Sequence, residues 1–174
     1  MSYQIRIETP RLIMREFREE DAEALFEMES DPIVLTYLEV EPLKKLDEIY
    51  PIIERVQKQY EDNGTGRWVM IEKSSGELMG WTGLKLEPLE TNGFTNYYDL
   101  GYRMIPRYWG KGYATESALA SVDYGFNELN LEKINGGADV KNIASNRVLQ
   151  KAGLELVEVF DHWNRPHNWY ELNR

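Results

Sequence analysis

The stretch that most limits what this chain can become is Met104-Ile105-Pro106-Arg107-Tyr108-Trp109-Gly110-Lys111-Gly112-Tyr113-Ala114. It follows a strand-like run, Tyr97 to Arg103, and precedes a long helix-like run. A strand, a short loop rich in glycine and cations, and then a helix make a phosphate-holding unit. Glycines let backbone N–H groups turn toward an anion and approach it closely. The helix adds its free N–H groups and the positive end of its dipole. The segment therefore predicts a grip on a phosphorylated cofactor.

Two common phosphate loops fail on spacing. A Walker A loop needs a glycine five positions before its Gly-Lys pair and a hydroxyl residue after it. Here those places hold Ile105 and Gly112. A dinucleotide fingerprint needs a third glycine, and that place is Thr115. What the segment does contain is Arg107-x-x-Gly110-x-Gly112. This resembles the acetyl-CoA loop of the GNAT acetyltransferase superfamily. A second segment, Asn142-Ile143-Ala144-Ser145-Asn146-Arg147-Val148-Leu149-Gln150-Lys151-Ala152-Gly153-Leu154, resembles that superfamily's other cofactor-side helix. Its Asn-x-x-Ser-Asn opening, and the N-terminal run Glu8-Thr9-Pro10-Arg11-Leu12-Ile13-Met14-Arg15, resemble the branch of ribosomal-protein N-terminal acetyltransferases. The resemblance spans nearly the whole chain, in the right order.

Composition narrows the classes of function. At 174 residues a single domain, 1–174, is the expectation. A chain this long buries roughly 70% of its unfolded surface and needs no staple. With no cysteine, disulfides, thiolate metal sites and a cysteine nucleophile are excluded. No apolar run approaches membrane-spanning length, and Met1-Ser2-Tyr3-Gln4-Ile5-Arg6 is unlike a signal peptide, so a cytoplasmic location is expected. The formal charge of −10 argues against nucleic acid as a partner, since such proteins carry a basic footprint. It favours a cationic small molecule or peptide, or serves solubility alone.

Hydrophobic periodicity and turn residues give the elements. Leu12 to Phe17 reads as a strand, Arg18 to Met28 as a helix ended by Ser30-Asp31-Pro32, and Leu46 to Tyr60 as a helix that Pro51 divides or kinks. Arg67 to Lys73 and Leu78 to Leu86 read as a hairpin. Asn96 to Met104 is a strand, Tyr113 to Leu129 a helix, Lys133 to Val140 a strand and Asn142 to Ala152 a helix stopped by Gly153. Glu155 to His162 and Trp169 to Leu172 are final strands. Strands that meander and then alternate with helices predict a mixed α/β sheet, with a parallel crossover through the Tyr113 helix. The resemblance implies the same fold, a mostly antiparallel sheet flanked by helices.

The resemblance implies that Arg107, Tyr108, Gly110, Lys111, Gly112, Tyr113 and Ala114 wrap the pyrophosphate of acetyl-CoA, and that backbone at Met104 and Ile105 meets its pantetheine arm. It sets Asn142 beside that arm, although asparagine is also a favoured helix N-cap. In many members a tyrosine four places before the helix-ending glycine helps protonate the departing thiolate; here that place holds Leu149. In the resembling branch the donor is a serine, which falls on Ser145. Serine is a weak acid, suited to a hydrogen bond or a water relay, or simply to a local backbone bond. Asp99 stands where members place an acid before the loop, as the candidate base or as an outward-facing strand acid, with Glu87, Glu90 and Tyr98 as alternatives. A free aspartate ionises at about 3.9, so burial has to raise it or water has to relay the proton. His162 and His167 lack helical metal-ligand spacing, so no metal is expected. Trp68, Trp81, Trp163 and Trp169 read as core or rim aromatics.

The expected activity is acetyl transfer from acetyl-CoA to a primary amine, a peptide N-terminus or a small amine, by direct attack in a ternary complex. The rivals are a non-catalytic CoA-binding or sensing module of the same fold and, more distantly, a nucleotide-binding enzyme. Monomer and homodimer both remain open.

Overall fold

The computed structural model describes residues 5–174. Residues 1–4 of the segment read as unlike a signal peptide lie outside the described residues. The strands are β1 (Ile5–Glu8), β2 (Leu12–Arg15), β3 (Arg67–Glu72), β4 (Leu78–Glu87), β5 (Tyr97–Met104), β6 (Lys133–Asp139), β7 (Glu155–His162) and β8 (Arg165–Asn173). The helices are α1 (Ala22–Glu29), α2 (Tyr50–Asn63), α3 (Tyr113–Asn127) and α4 (Ile143–Lys151). The strands join one sheet in the order β1-β2-β3-β4-β5-β6-β8-β7. Every pair is antiparallel except β5 and β6, which α3 connects as a crossover. No described helix is long and apolar enough to cross a membrane.

Alternation along β5 sorts its side chains between two faces. Tyr98, Leu100 and Tyr102 pack with Ala118 and Val122 of α3 and with Leu149 of α4. Arg103, on the opposite face, reaches Glu29 of α1. The core on that side gathers Leu25, Met28, Ile49 and Ile53, all nearly inaccessible.

The parallel pair is the unusual part of the sheet. It is registered at a single position, Asp99 opposite Asn135. Beyond it, β5 runs on to Met104 and β6 to Asp139, so the two strands part into a wedge. The wedge opens at their carboxyl ends, where α3 and α4 begin. Ligands of open α/β sheets bind in such places. Gly136 lets α4 sit close to β6, since a Cβ there would stand 2.7 Å from Leu149 Cδ2.

Some elements differ from their sequence reading, for identifiable reasons. The stretch Leu46 to Tyr60 is divided just before Pro51, which lies in the first turn of α2, where no N–H is needed. A separate 3-10 turn, Leu46–Glu48, precedes it. β1, which was not read from sequence, covers Ile5–Glu8 among the described residues and turns into β2 through Thr9 N–H donating to Leu12 O at 2.9 Å. β8 begins at Arg165, well before Trp169. Its hairpin to β7 turns on Trp163 and Asn164, both with positive φ. Tryptophan is an unusual choice there, which concealed the turn.

Asn146 ties α4 to the sheet. Its Nδ2 donates to Asp139 O at 2.9 Å and Asn142 O at 2.8 Å, and its Oδ1 accepts from Asn168 Nδ2 and Tyr170 OH, both at 2.7 Å. Asn146→Ala leaves several buried groups unpaired. It should lower unfolding free energy in urea by about 2–4 kcal/mol.

Candidate active site

The loop between β5 and α3 uses its side chains to hold on and leaves its amides free. Tyr108 OH donates to Glu77 at 2.6 Å, and Tyr113 OH donates to Glu72. Arg107, exposed, pairs with Glu27 of α1 and lies over the Tyr108 ring at 5.0 Å. Lys111 is exposed. Gly110 and Gly112 have φ of 74° and 82°, a conformation that side-chain-bearing residues avoid, and Gly112 caps α3. Among the described residues, the N–H groups of Gly110, Lys111, Gly112, Tyr113 and Ala114 have no protein acceptor. A run of free amides at a helix N-terminus can accept an anion without rearrangement.

A clamp from the chain's beginning steadies this loop. Glu116, in the first turn of α3, accepts from Thr9 Oγ at 2.7 Å, Arg11 N–H at 3.1 Å and Arg11 Nε at 2.6 Å. Arg11 also donates to Lys111 O at 3.0 Å and covers the Tyr113 ring at 4.3 Å. Burial pushes the Glu116 carboxyl up, but the bonds from Thr9 and Arg11 outweigh it and hold it below the usual carboxylate value. Glu116 was not singled out from sequence, where its one signal was an acid in the first turn of a helix.

The end of β5 is largely occupied by its own contacts. Ile105 N–H donates to Met79 O at 2.9 Å, and Ile105 O accepts from Tyr108 N–H at 3.0 Å. Met104 O takes the Trp109 indole N–H at 2.8 Å. Backbone free to meet an extended ligand therefore lies upstream of Ile105, along the wedge.

At α4, Asn142 acts as N-cap, its Oδ1 accepting from Ser145 N–H at 3.1 Å. Ser145 also has a partner on β5. Tyr102 OH donates to Ser145 O at 2.7 Å and stands 3.1 Å from Ser145 Oγ. Burial pushes the Tyr102 phenol well above its ordinary range, so it stays protonated. Tyr102 was missed from sequence because nothing but the fold brings β5 to this helix. Leu149 is a core residue seated on Gly136.

Asp99 lies on the opposite face from Tyr102. Arg67 pairs with its carboxylate and donates to Asp99 O at 2.7 Å and Gly83 O at 2.6 Å. Burial pushes the Asp99 carboxyl up, and Arg67 pulls it back only in part. Of the alternatives, Glu87 pairs with Lys85 at 2.8 Å, Tyr98 faces α3, and Glu90 is exposed. Asp99 and Ser145 thus approach the wedge from different faces. Trp68 and Trp169 are core, and Trp163 is exposed at the rim. Among the described residues, no cluster of three or more histidine, aspartate or glutamate side chains is placed to hold a metal.

Comparison with known proteins follows the same lines. Residues 11–155 match the family model of the acetyltransferase (GNAT) domain. An uncharacterized N-acetyltransferase of Bacillus subtilis, YoaA, is 31% identical over 149 residues, 86% of this chain and 82% of that protein. The spermidine N(1)-acetyltransferase of Escherichia coli is 27% identical over 143 residues, 82% of this chain and 72% of that protein. The crystal structure of a GNAT-family acetyltransferase from Bacillus anthracis superposes with a TM-score of 0.79 at 25% identity, covering 99% of this chain and 98% of that one.

If the loop amides receive the pyrophosphate, Gly112→Glu should abolish acetyl-CoA binding in titration calorimetry. A Cβ there meets little, with Arg11 nearest at 3.5 Å, so the chain should still fold at a backbone cost of about 1–2 kcal/mol. The added carboxylate, however, enters the cradle. Parental affinity in a folded variant would reject the assignment.

Proposed function

Since the chain belongs to the GNAT acetyltransferase family, we propose that it moves the acetyl group of acetyl-CoA to the primary amine of a small molecule or a peptide N-terminus. Transfer is direct, within a ternary complex. The observation that carries this reading is the run of free amides from Gly110 to Ala114 beside the wedge between β5 and β6. The amides take the pyrophosphate, Lys111 adds charge at the surface, and the pantetheine arm lies along β5 toward α4. Asn142 shapes that passage by holding the first turn of α4. The whole of residues 1–174 acts as one domain, in the cytoplasm.

The attacking amine comes from the face that carries Asp99. Raised by burial, Asp99 is better matched to a proton from an ammonium than a free aspartate is. Its pairing with Arg67 makes a water relay the simplest route. On the other face, Ser145 Oγ donates to the departing thiolate, and Tyr102 OH holds it in place. A CoA-binding module without catalysis draws support from Leu149, which fills the core where a tyrosine would stand. Tyr102 and Ser145 supply hydroxyls near that position instead, which favours catalysis. Release of free CoA on adding an amine separates the two readings.

Two outcomes test these roles. Ser145→Ala should lower kcat about tenfold to a hundredfold while acetyl-CoA affinity stays near parental. A loss of affinity at unchanged turnover would make Ser145 a binding or capping residue.

The second test is the pH profile. Rates should rise with pH as the acceptor amine loses its proton, at about 8 for an α-amino group. Asp99, raised by burial, adds to the rise as it ionises, since only the carboxylate accepts a proton. Asp99→Asn should flatten or displace the rise, and a profile identical to the parent's would reject Asp99 as base.

A further inference from the structure

Arg103 has no part in the chemistry above. Its side chain is only 20% exposed, yet among the described residues it makes one hydrogen bond, to Glu29 Oε2 at 2.5 Å. An arginine carries five N–H donors in a planar fork, so most of this fork is left over. Glu29 is not free to cover more of it, because its other oxygen accepts the Trp81 indole N–H at 3.2 Å. The Trp81 ring lies between two guanidiniums, Arg103 at 5.0 Å and Arg67 at 5.1 Å. Burial, only partly offset by Glu29, pulls the Arg103 pKa below its ordinary value. A cation held at that cost, with donors to spare, suits an oxygen acceptor that arrives with a ligand.

The fork lines a cavity of about 270 Å³ between the sheet and the two helices α1 and α2. Arg55 and Arg67 line it too, against Glu29 and Glu41, while much of the rest is apolar, Phe17, Leu25 and Ile52 included. Asp99 and Arg103 share this face of β5. Guanidiniums in the lining disfavour a ligand made of ammonium groups alone. The apolar walls favour one with a hydrocarbon body.

Resting on the acetyltransferase reading, we infer that this cavity receives the acceptor and that Arg103 recognises a carbonyl or carboxylate oxygen next to its amine. The acceptor is then an α-amino acyl compound with an apolar side chain, and not a polyamine. An amide carbonyl and a free carboxylate offer the same oxygen chemistry, so both belong in the test.

The experiment measures CoA release from acetyl-CoA with four amines: leucinamide, leucine, 3-methylbutylamine and spermidine. The first two share a body with the third, which lacks the oxygen. The better of leucinamide and leucine should exceed 3-methylbutylamine about tenfold or more in kcat/KM, with spermidine lowest. Which of the two leads tells a peptide N-terminus from a free amino acid. Arg103→Met should bring that ratio to within about twofold, chiefly through KM, with acetyl-CoA binding by calorimetry reporting on the fold. If that variant does not fold, Arg103→Lys, which keeps the charge and loses the fork, should give an intermediate ratio. Spermidine or 3-methylbutylamine as the best acceptor, or a ratio unchanged in the folded variants, overturns this assignment and leaves acetyl transfer standing. No CoA release with any of the four, despite bound acetyl-CoA, overturns both.

Discussion

The site depends on how β5 and β6 meet. They are the sheet's one parallel pair, and they are registered only at Asp99 and Asn135. A pair that continued would close the sheet and leave the starts of α3 and α4 with nothing between them. Because it parts, two helix N-termini look onto one opening. Neighbouring contacts keep the geometry. Arg67 spans β4 and β5 through Gly83 O and Asp99 O, and Leu149 on Gly136 draws α4 against β6.

The wedge divides the work between two faces. On the α3 and α4 side stand the free amides, Asn142, Ser145 and the phenol of Tyr102. On the α1 and α2 side stand Asp99, paired with Arg67, and a cavity of about 270 Å³ lined by Arg67, Trp81 and Arg103. An acyl donor and an acyl acceptor can therefore arrive from opposite sides, and the gap between β5 and β6 is where they would meet. Charge is arranged to match. Free amides and a helix dipole on one side suit phosphates, and on the other the part-buried guanidiniums of Arg67 and Arg103 are paired with Asp99 and Glu29.

The loop, both flanking helices and the parallel crossover were legible because local rules govern them. Glycines at positive φ, four-residue apolar steps and an Asn N-cap need only near neighbours to act. Contacts far apart in sequence were not legible. Glu116 reads as an ordinary first-turn acid until Thr9 and Arg11 fold onto it. Tyr102 and Ser145 are joined only when the wedge forms, and Arg103, merely the end of a strand-like run in the sequence, stands out only when α1 delivers Glu29. Ser145 could be read either as making a local backbone bond or as a chemical group; its N–H is capped by Asn142 and its hydroxyl stands beside the Tyr102 phenol. The late start assigned to β8 had a local cause, a tryptophan at positive φ in its turn.

The most direct test is an amide NMR titration of the uniformly nitrogen-15-labelled protein with acetyl-CoA. The amide protons of Gly110, Lys111, Gly112, Tyr113 and Ala114 should move downfield together as they take up phosphate oxygens, saturating with the same midpoint as calorimetric binding. Saturating acetyl-CoA with those five amides unmoved, and the large shifts elsewhere, would contradict the placement of the cofactor in the wedge.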